Sequence, residues 1–140
     1  MDNARQRQAR LTKPPGSLGR LEEVGVWLAG VTGCCPPPIP VRKVVLVFAA
    51  DHGVAIHGVS IAPSEVTRLM TLNFLAGQAA INVLSRQTRA QIRVIDVGIL
   101  NDLPSRPAFR AAKVRRGTAD LSVGPAMSRA EAEEALRIGA

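Results

Sequence analysis

The sequence predicts an α/β fold: a partial parallel sheet with a βαβ crossover, preceded by an N-terminal helical segment. Three observations carry that expectation. Two short Val- and Ile-rich runs, "VVLVFAA" at 44–50 and "IRVIDVGI" at 92–99, read as strands. A long helical apolar period lies between them, so the connection is a crossover and not a hairpin. A stiff Pro-rich stretch, "CCPPPIP", sets this unit apart from a helical pattern nearer the N-terminus. The expected division is therefore 1–40, a helical segment with its Pro-rich connector, and 41–140, the N-terminal portion of an α/β domain.

Each element has its own local reason. Ser17 is placed to cap a helix over "LGRLEEVGVWLAGV", in which Leu18, Leu21, Val24, Leu28 and Val31 recur at helical spacing and Gly33 suits the end. The run from Val44 to Ala50 is continuous and apolar, as in a strand buried on both faces. Pro63 and Ser64 open a second helix, expected to run to about Ser85 on the stripe Val66, Leu69, Met70, Phe74, Ala80, Ile81 and Leu84. After the strand at 92–99, "NDLPSRPAF" reads as loop, and "KVRRGTADLSVG" as the place of a short third strand broken at Gly117. Ser128 and Glu131 form a capping box for a last helix, "RAEAEEALRIGA". That helix is expected to lead into a further strand, so the chain reads as an incomplete, truncated domain.

Composition excludes several classes. A chain of 140 residues buries roughly two thirds of its unfolded surface, enough for one domain. It is 46% hydrophobic with a mean hydropathy of +0.12, which suits a globular protein. No apolar run approaches the roughly 20 residues of a membrane span, and "MDNARQRQAR" lacks the apolar core of a secretory signal, so a cytoplasmic location with no membrane partner is expected. The net charge of +7 raises nucleic acid as a partner, but the basic residues are dispersed and do not interleave with the few aromatics. A solvated Arg-rich surface, able to attract an anionic small substrate, is the expectation, with no nucleic acid. Adjacent Cys34 and Cys35 have no metal-type spacing and read as inert loop thiols.

The polar residues of interest stand where the strands end. Asp51-His52-Gly53 follows the first strand and Asp96-Val97-Gly98 closes the second, and ligands of open α/β sheets gather at that edge. The two acids are expected to face a common crevice. Each also has a structural alternative: Asp51 as a loop cap bonding nearby N–H groups, Asp96 as a hydrogen-bonded acid inside its strand. His52 and His57 match no strong metal pattern, and no metal is expected. Phosphate-loop, dinucleotide and nucleophile-elbow motifs are missing from the sequence. "KPPGSLG" either offers backbone N–H groups to an anion or is a rigid turn before a helix.

Taken together and in order, "KPPGSLGRLEE", "VFAADHGV", "NFLAGQAAINVL", "VIDVGI" and "RGTADLSVGPAMSRAEAEEAL" closely resemble the N-terminal part of the nicotinate-nucleotide–dimethylbenzimidazole phosphoribosyltransferase family. The resemblance runs from about Leu11 to Leu136. It implies transfer of the 5-phosphoribosyl group of nicotinate mononucleotide to 5,6-dimethylbenzimidazole, giving α-ribazole 5′-phosphate and nicotinate in the cobalamin lower-ligand pathway. It implies a homodimer and no cofactor. The family's general-base Glu and its phosphate-binding segments fall after residue 140, so no catalytic residue carries over and the chain alone is expected to be inactive. What carries over is the benzimidazole side of the pocket, at Ala62 and Met70, with Asp51, His52 and Gly53 matching the family's words without an assigned chemical step. Some family members have polar residues where Ala62 and Met70 stand. The alternatives are a non-catalytic subunit of a split enzyme and a basic nucleic-acid-binding module.

Overall fold

A computed structural model describes residues 1–140, which divide into two compact units, Met1–Val41 and Arg42–Ala140.

The first unit holds helices α1 (Asp2–Arg10) and α2 (Arg20–Thr32). The polar N-terminal stretch, unassigned by its pattern, is helical, with Asp2 in its first turn and Arg7 and Arg10 in its last, both favourable to the helix dipole. The two helices meet through small residues: Ala4 and Ala29 are buried, and a Cβ added at Gly30 would stand 2.7 Å from the Met1 side chain. The expected apolar stripe of α2 is therefore not its packing side here, and Leu21, Val24 and Val31 are exposed. Gly33 does end the helix in the left-handed conformation (φ 67°). Ser17 is not the cap. Residues 15–19 form turns, α2 starts after Gly19, and the work of closing its N-terminus falls to Glu22.

That carboxylate accepts from Lys13 Nζ (2.6 Å) and from the Leu18 backbone N–H (3.2 Å), both groups of the Lys–Glu pair being largely shielded. "KPPGSLG" forms a turn in which the N–H groups of Ser17, Leu18 and Gly19 donate to Pro14 C=O, Glu22 Oε1 and Gly16 C=O, and are not left open to an anion. The Lys13 hydrogen bond, then that of Leu18, holds the Glu22 carboxyl below its ordinary value of 4.5. A carboxyl lowered in the folded state stabilises above its unfolded pKa and loses that contribution as pH falls through the folded one. Glu22→Gln is accordingly expected to lower the urea midpoint of the first unit at neutral pH, the two proteins converging as the pH drops below 4.5. Trp27, the one Trp of the chain and a residue of α2, reports this by fluorescence. A difference that persists unchanged at low pH would assign the effect to packing.

The second unit is a three-stranded parallel sheet in the order β1 (Val44–Ala50), β2 (Gln91–Gly98), β3 (Phe109–Ala111). The first two strands fall within a residue of their expected bounds, and the α/β class is as the sequence predicts. The core lies on β2, where Val94, Ile95 and the following Ile99 are at most 5% exposed. β1 departs from expectation. It is an edge strand with alternating burial, and Val44, Leu46 and Phe48 share a face left about half exposed.

The crossover is two helices, α3 (Glu65–Ala76) and α4 (Ala80–Thr88), not one. Gly77, at φ 77°, stops the first. Asn82 restarts the second, its Oδ1 accepting from Ala79 N–H and its Nδ2 donating to Phe74 C=O. Ser64 precedes α3 without a side-chain cap bond. β3 also lies elsewhere than expected, at the end of the presumed loop. The "KVRRGTADLSVG" stretch instead runs irregularly along the sheet's carboxyl edge, donating from Val114 to Val97, from Gly117 to Gly98 and from Thr118 to Asp51. The last helix, α5 (Arg129–Gly139), opens on the expected capping box: Ser128 N–H donates to Glu131 Oε2 (2.7 Å) and Glu131 N–H to Ser128 Oγ (3.3 Å). No helix is long and apolar enough to cross a membrane.

Candidate functional site

Parallel pairing brings the carboxyl ends of β1 and β2 side by side, with a bulge at Ala49/Ala50 where the register shifts. The bulge separates the two acids. Asp96 pairs with Ala49, one step inside the sheet, and is 1% exposed. Its Oδ1 accepts from Gly98 N–H (3.0 Å) and Ile99 N–H (2.8 Å), and its Oδ2 meets Lys113 Nζ at 2.8 Å. Lys113 also donates to the carbonyls of Ile99 and Asn101. Asp96 therefore holds the strand end together and does not face the crevice with Asp51, as the sequence led one to expect.

Asp51 lies just past the bulge, 5% exposed, with its N–H on Gly98 C=O and its Oδ2 accepting from Leu100 N–H (2.8 Å). Both of its sequence readings hold in part: one oxygen caps a loop, and the residue lines a cavity. That cavity, of about 310 Å³, sits beyond β1 against the start of α3. Asp51, His52, Ala55, Ser60, Ala62 and Met70 are among its walls, mostly apolar, and its size is within the ~300–1,000 Å³ of small-molecule sites. Four of the five expected residues thus meet in one place: Asp51, His52, Ala62 and Met70.

Gly53 stands behind the wall. Its N–H donates to Thr118 Oγ1 (3.2 Å), and a Cβ there would lie 2.6 Å from the Ala119 carbonyl carbon. The glycine is what lets the two loops touch. Residues 53–57 coil into a single 3₁₀ turn that the sequence pattern does not signal. At its end, His57 Nε2 lies 2.6 Å from Asp120 Oδ2. Ser122 donates to Asp120 Oδ1 from both its N–H (2.9 Å) and its hydroxyl (2.7 Å). These bonds, Ser122's before His57's, pull the Asp120 carboxyl down to about 2. Ser122 Oγ is also 3.3 Å from His57 Nε2. Acid and hydroxyl therefore share one ring nitrogen, whereas a nucleophilic triad needs one on each. No three His, Cys, Asp or Glu side chains stand together as a metal site would require.

A larger cavity, about 470 Å³, lies in the first unit between α1 and α2. Its charged walls include Lys13 and Glu22, which satisfy each other, and no strand end opens into it. The smaller cavity at the sheet edge is the better candidate. Its missed members, Ala55, Ser60 and Thr67, carried no signal of their own, being small residues in loop and helix.

The family model for phosphoribosyltransferases matches residues 1–140. A protein of Chloroflexus aggregans named nicotinate-nucleotide–dimethylbenzimidazole phosphoribosyltransferase is 54% identical over 136 residues, 97% of this chain and 38% of its own length. The same-named protein of Thermus thermophilus is 51% identical over 97% of this chain and 40% of its own. The crystal structure of CobT from Thermus thermophilus superposes with a TM-score of 0.88 at 50% identity, covering 99% of this chain and 41% of that one. The chain thus spans about two fifths of the length of the curated relatives it matches.

Proposed function

The chain belongs to the phosphoribosyltransferase family, and from that we propose that it forms the base-binding side of an enzyme that moves the 5-phosphoribosyl group of nicotinate mononucleotide onto 5,6-dimethylbenzimidazole. The products are α-ribazole 5′-phosphate and nicotinate. The observation that carries the reading is the meeting of Ala62 and Met70 with Asp51 and His52 in one mostly apolar cavity at the strand ends. The names of the relatives supply the substrates.

The chemistry asks for a flat ring held with one nitrogen facing a sugar carbon, so positioning supplies much of the rate. Ala62 and Met70 offer apolar contact to the ring faces, and Pro63 and Val66 extend that surface. An apolar pair here favours a ring whose periphery is methyl and C–H. Asp51 is the one carboxylate in the wall, and one of its oxygens already accepts from Leu100. The proton-accepting Glu is assigned by the family resemblance to a position after residue 140. Residues 1–40 are the helical segment of a smaller part, and 41–140 the N-terminal portion of the α/β domain. A cytoplasmic homodimer completes the reading, supported by the same resemblance.

The test is Met70→Lys in an enzyme completed by the segments that follow residue 140. Met70 is 39% exposed, so an ammonium there keeps some water, yet its charge faces an apolar ring. The dissociation constant for 5,6-dimethylbenzimidazole, measured by calorimetry, is expected to rise about tenfold. Affinity for nicotinate mononucleotide should not move. Unchanged base affinity in a folded variant, or equal losses for both compounds, places the base elsewhere.

A further inference from the structure

We propose that His57 and Asp120 are positioning residues of the base cavity: their contact holds the loop that forms one of its walls, and so sets how tightly the base is bound. The inference rests on the assignment of that cavity to the base.

The loop from Gly53 to Pro63 contributes Ala55, Ser60, Ala62 and Pro63 to the cavity. None of its residues is buried, and three of its four large apolar side chains face water: Ile56 is 80% exposed, Val59 67% and Ile61 109%, while Val54 is half-buried. From Ile56 to Ile61 every residue is exposed, so packing does little to hold that stretch. Its hydrogen bonds are mostly internal, Ala55 N–H to His52, Gly58 N–H to Ala55 and Ala62 N–H to Ser60 Oγ. Gly53 N–H on Thr118 Oγ1 secures its first residue. Beyond that point the side-chain bonds that leave the loop are those of His57, to Asp120 and Ser122.

The far end of that contact is rigid. Asp120 is fixed by the two bonds from Ser122, and Thr118 and Ala119 tie the same segment to Asp51 and Ala126. The Asp120 carboxyl, lowered to about 2, stays charged at any working pH and offers His57 a charged acceptor. A charged partner in a fixed segment thus reaches across 63 residues of sequence to the one polar side chain at the turn's end. The wall residues Ser60 and Ala62 follow within five residues of His57, so freedom at 57 becomes freedom in the wall.

The experiment compares His57→Ala and His57→Gln with the unaltered protein and with Met70→Lys, all in the same completed enzyme. Binding of 5,6-dimethylbenzimidazole and amide hydrogen exchange are both measured. The His57 side chain is 49% exposed, so its removal is expected to leave the fold in place. His57→Ala should weaken base binding about tenfold and speed exchange at 54–62, leaving the strands 44–50 and 91–98 protected. His57→Gln, whose amide can donate to Asp120 from nearly the same place, should recover most of both. If His57→Ala binds the base normally while Met70→Lys does not, the positioning role is wrong and the cavity assignment stands. If neither variant alters binding, the cavity assignment fails and the proposal with it. Faster exchange throughout the sheet, or no recovery in His57→Gln, also overturns it.

Discussion

Asp96→Ala is expected to lower the unfolding free energy of the second unit by about 3–5 kcal/mol, read as a shift of the urea midpoint with the slope unchanged. The carboxylate is 1% exposed and serves three donors at once, the N–H groups of Gly98 and Ile99 and the Lys113 ammonium. Alanine leaves two buried N–H groups with no acceptor and a largely shielded cation short of its counter-charge. Each orphaned buried donor costs about 1–3 kcal/mol, so the donors alone account for most of the loss. Asp96→Asn keeps an acceptor oxygen for the strand end and should fall between. Asp102 supplies the contrast. It meets Arg116 at 2.6 Å, shorter than the Asp96–Lys113 pair, but its side chain is 72% exposed and Asp102→Ala should change the midpoint by nothing measurable. Equal effects at the two positions would show that Asp96 is not the structural acid described.

Gly53→Ala is expected to cost about 3 kcal/mol, near the top of what overpacking by a single methyl group does. The new Cβ would stand 2.6 Å from Ala119 C, 2.7 Å from Asp120 N and 2.8 Å from Thr118 O. All three are backbone atoms, so no side chain can swing aside. One loop must move, and the movement breaks the Gly53–Thr118 and Thr118–Asp51 hydrogen bonds that join them. On the proposed assignment of the cavity, base binding should weaken as well, because the same displacement carries Asp120 away from His57. Gly58, with nothing within 4 Å of its added Cβ, is the control: Gly58→Ala meets only the strain of φ 69°, about 1–2 kcal/mol. A thermal melt of both variants separates the readings. If Gly53→Ala is no worse than Gly58→Ala, the close approach is not what requires glycine.

What the chain shows locally was legible. β1 and β2 stand out because continuous apolar runs bounded by charge or glycine have few other solutions. Their parallel pairing follows from the length of the connection. The Ser128–Glu131 capping box is a bond between residues three apart, and it forms as written. The family words, distributed along the chain, identify the phosphoribosyltransferase family without reference to any contact. Errors gather where a local signal was overruled. The apolar period of the crossover runs through Gly77, but a left-handed turn and the Asn82 bonds divide it into two helices. β3 has three residues, too few for any period to show, and exists because Val94 to Asp96 have an open ladder beside them.

By itself, then, the sequence determined the class of fold, the two main strands, the last helix's start and the family, since each rests on spacing within a few residues or on the words themselves. Only the tertiary structure decided what the polar residues do. Asp51 and Asp96 look alike in sequence, each an acid at a strand end. A one-residue bulge puts Asp51 in a cavity wall and Asp96 under three donors inside the sheet. Ser17 looks like a cap, yet Glu22 satisfies the turn because its side chain reaches both Lys13 and Leu18. Gly53 and His57 meet partners 65 and 63 residues away. Contacts at that separation are set by how the sheet brings its carboxyl-end loops together, and no local pattern encodes them.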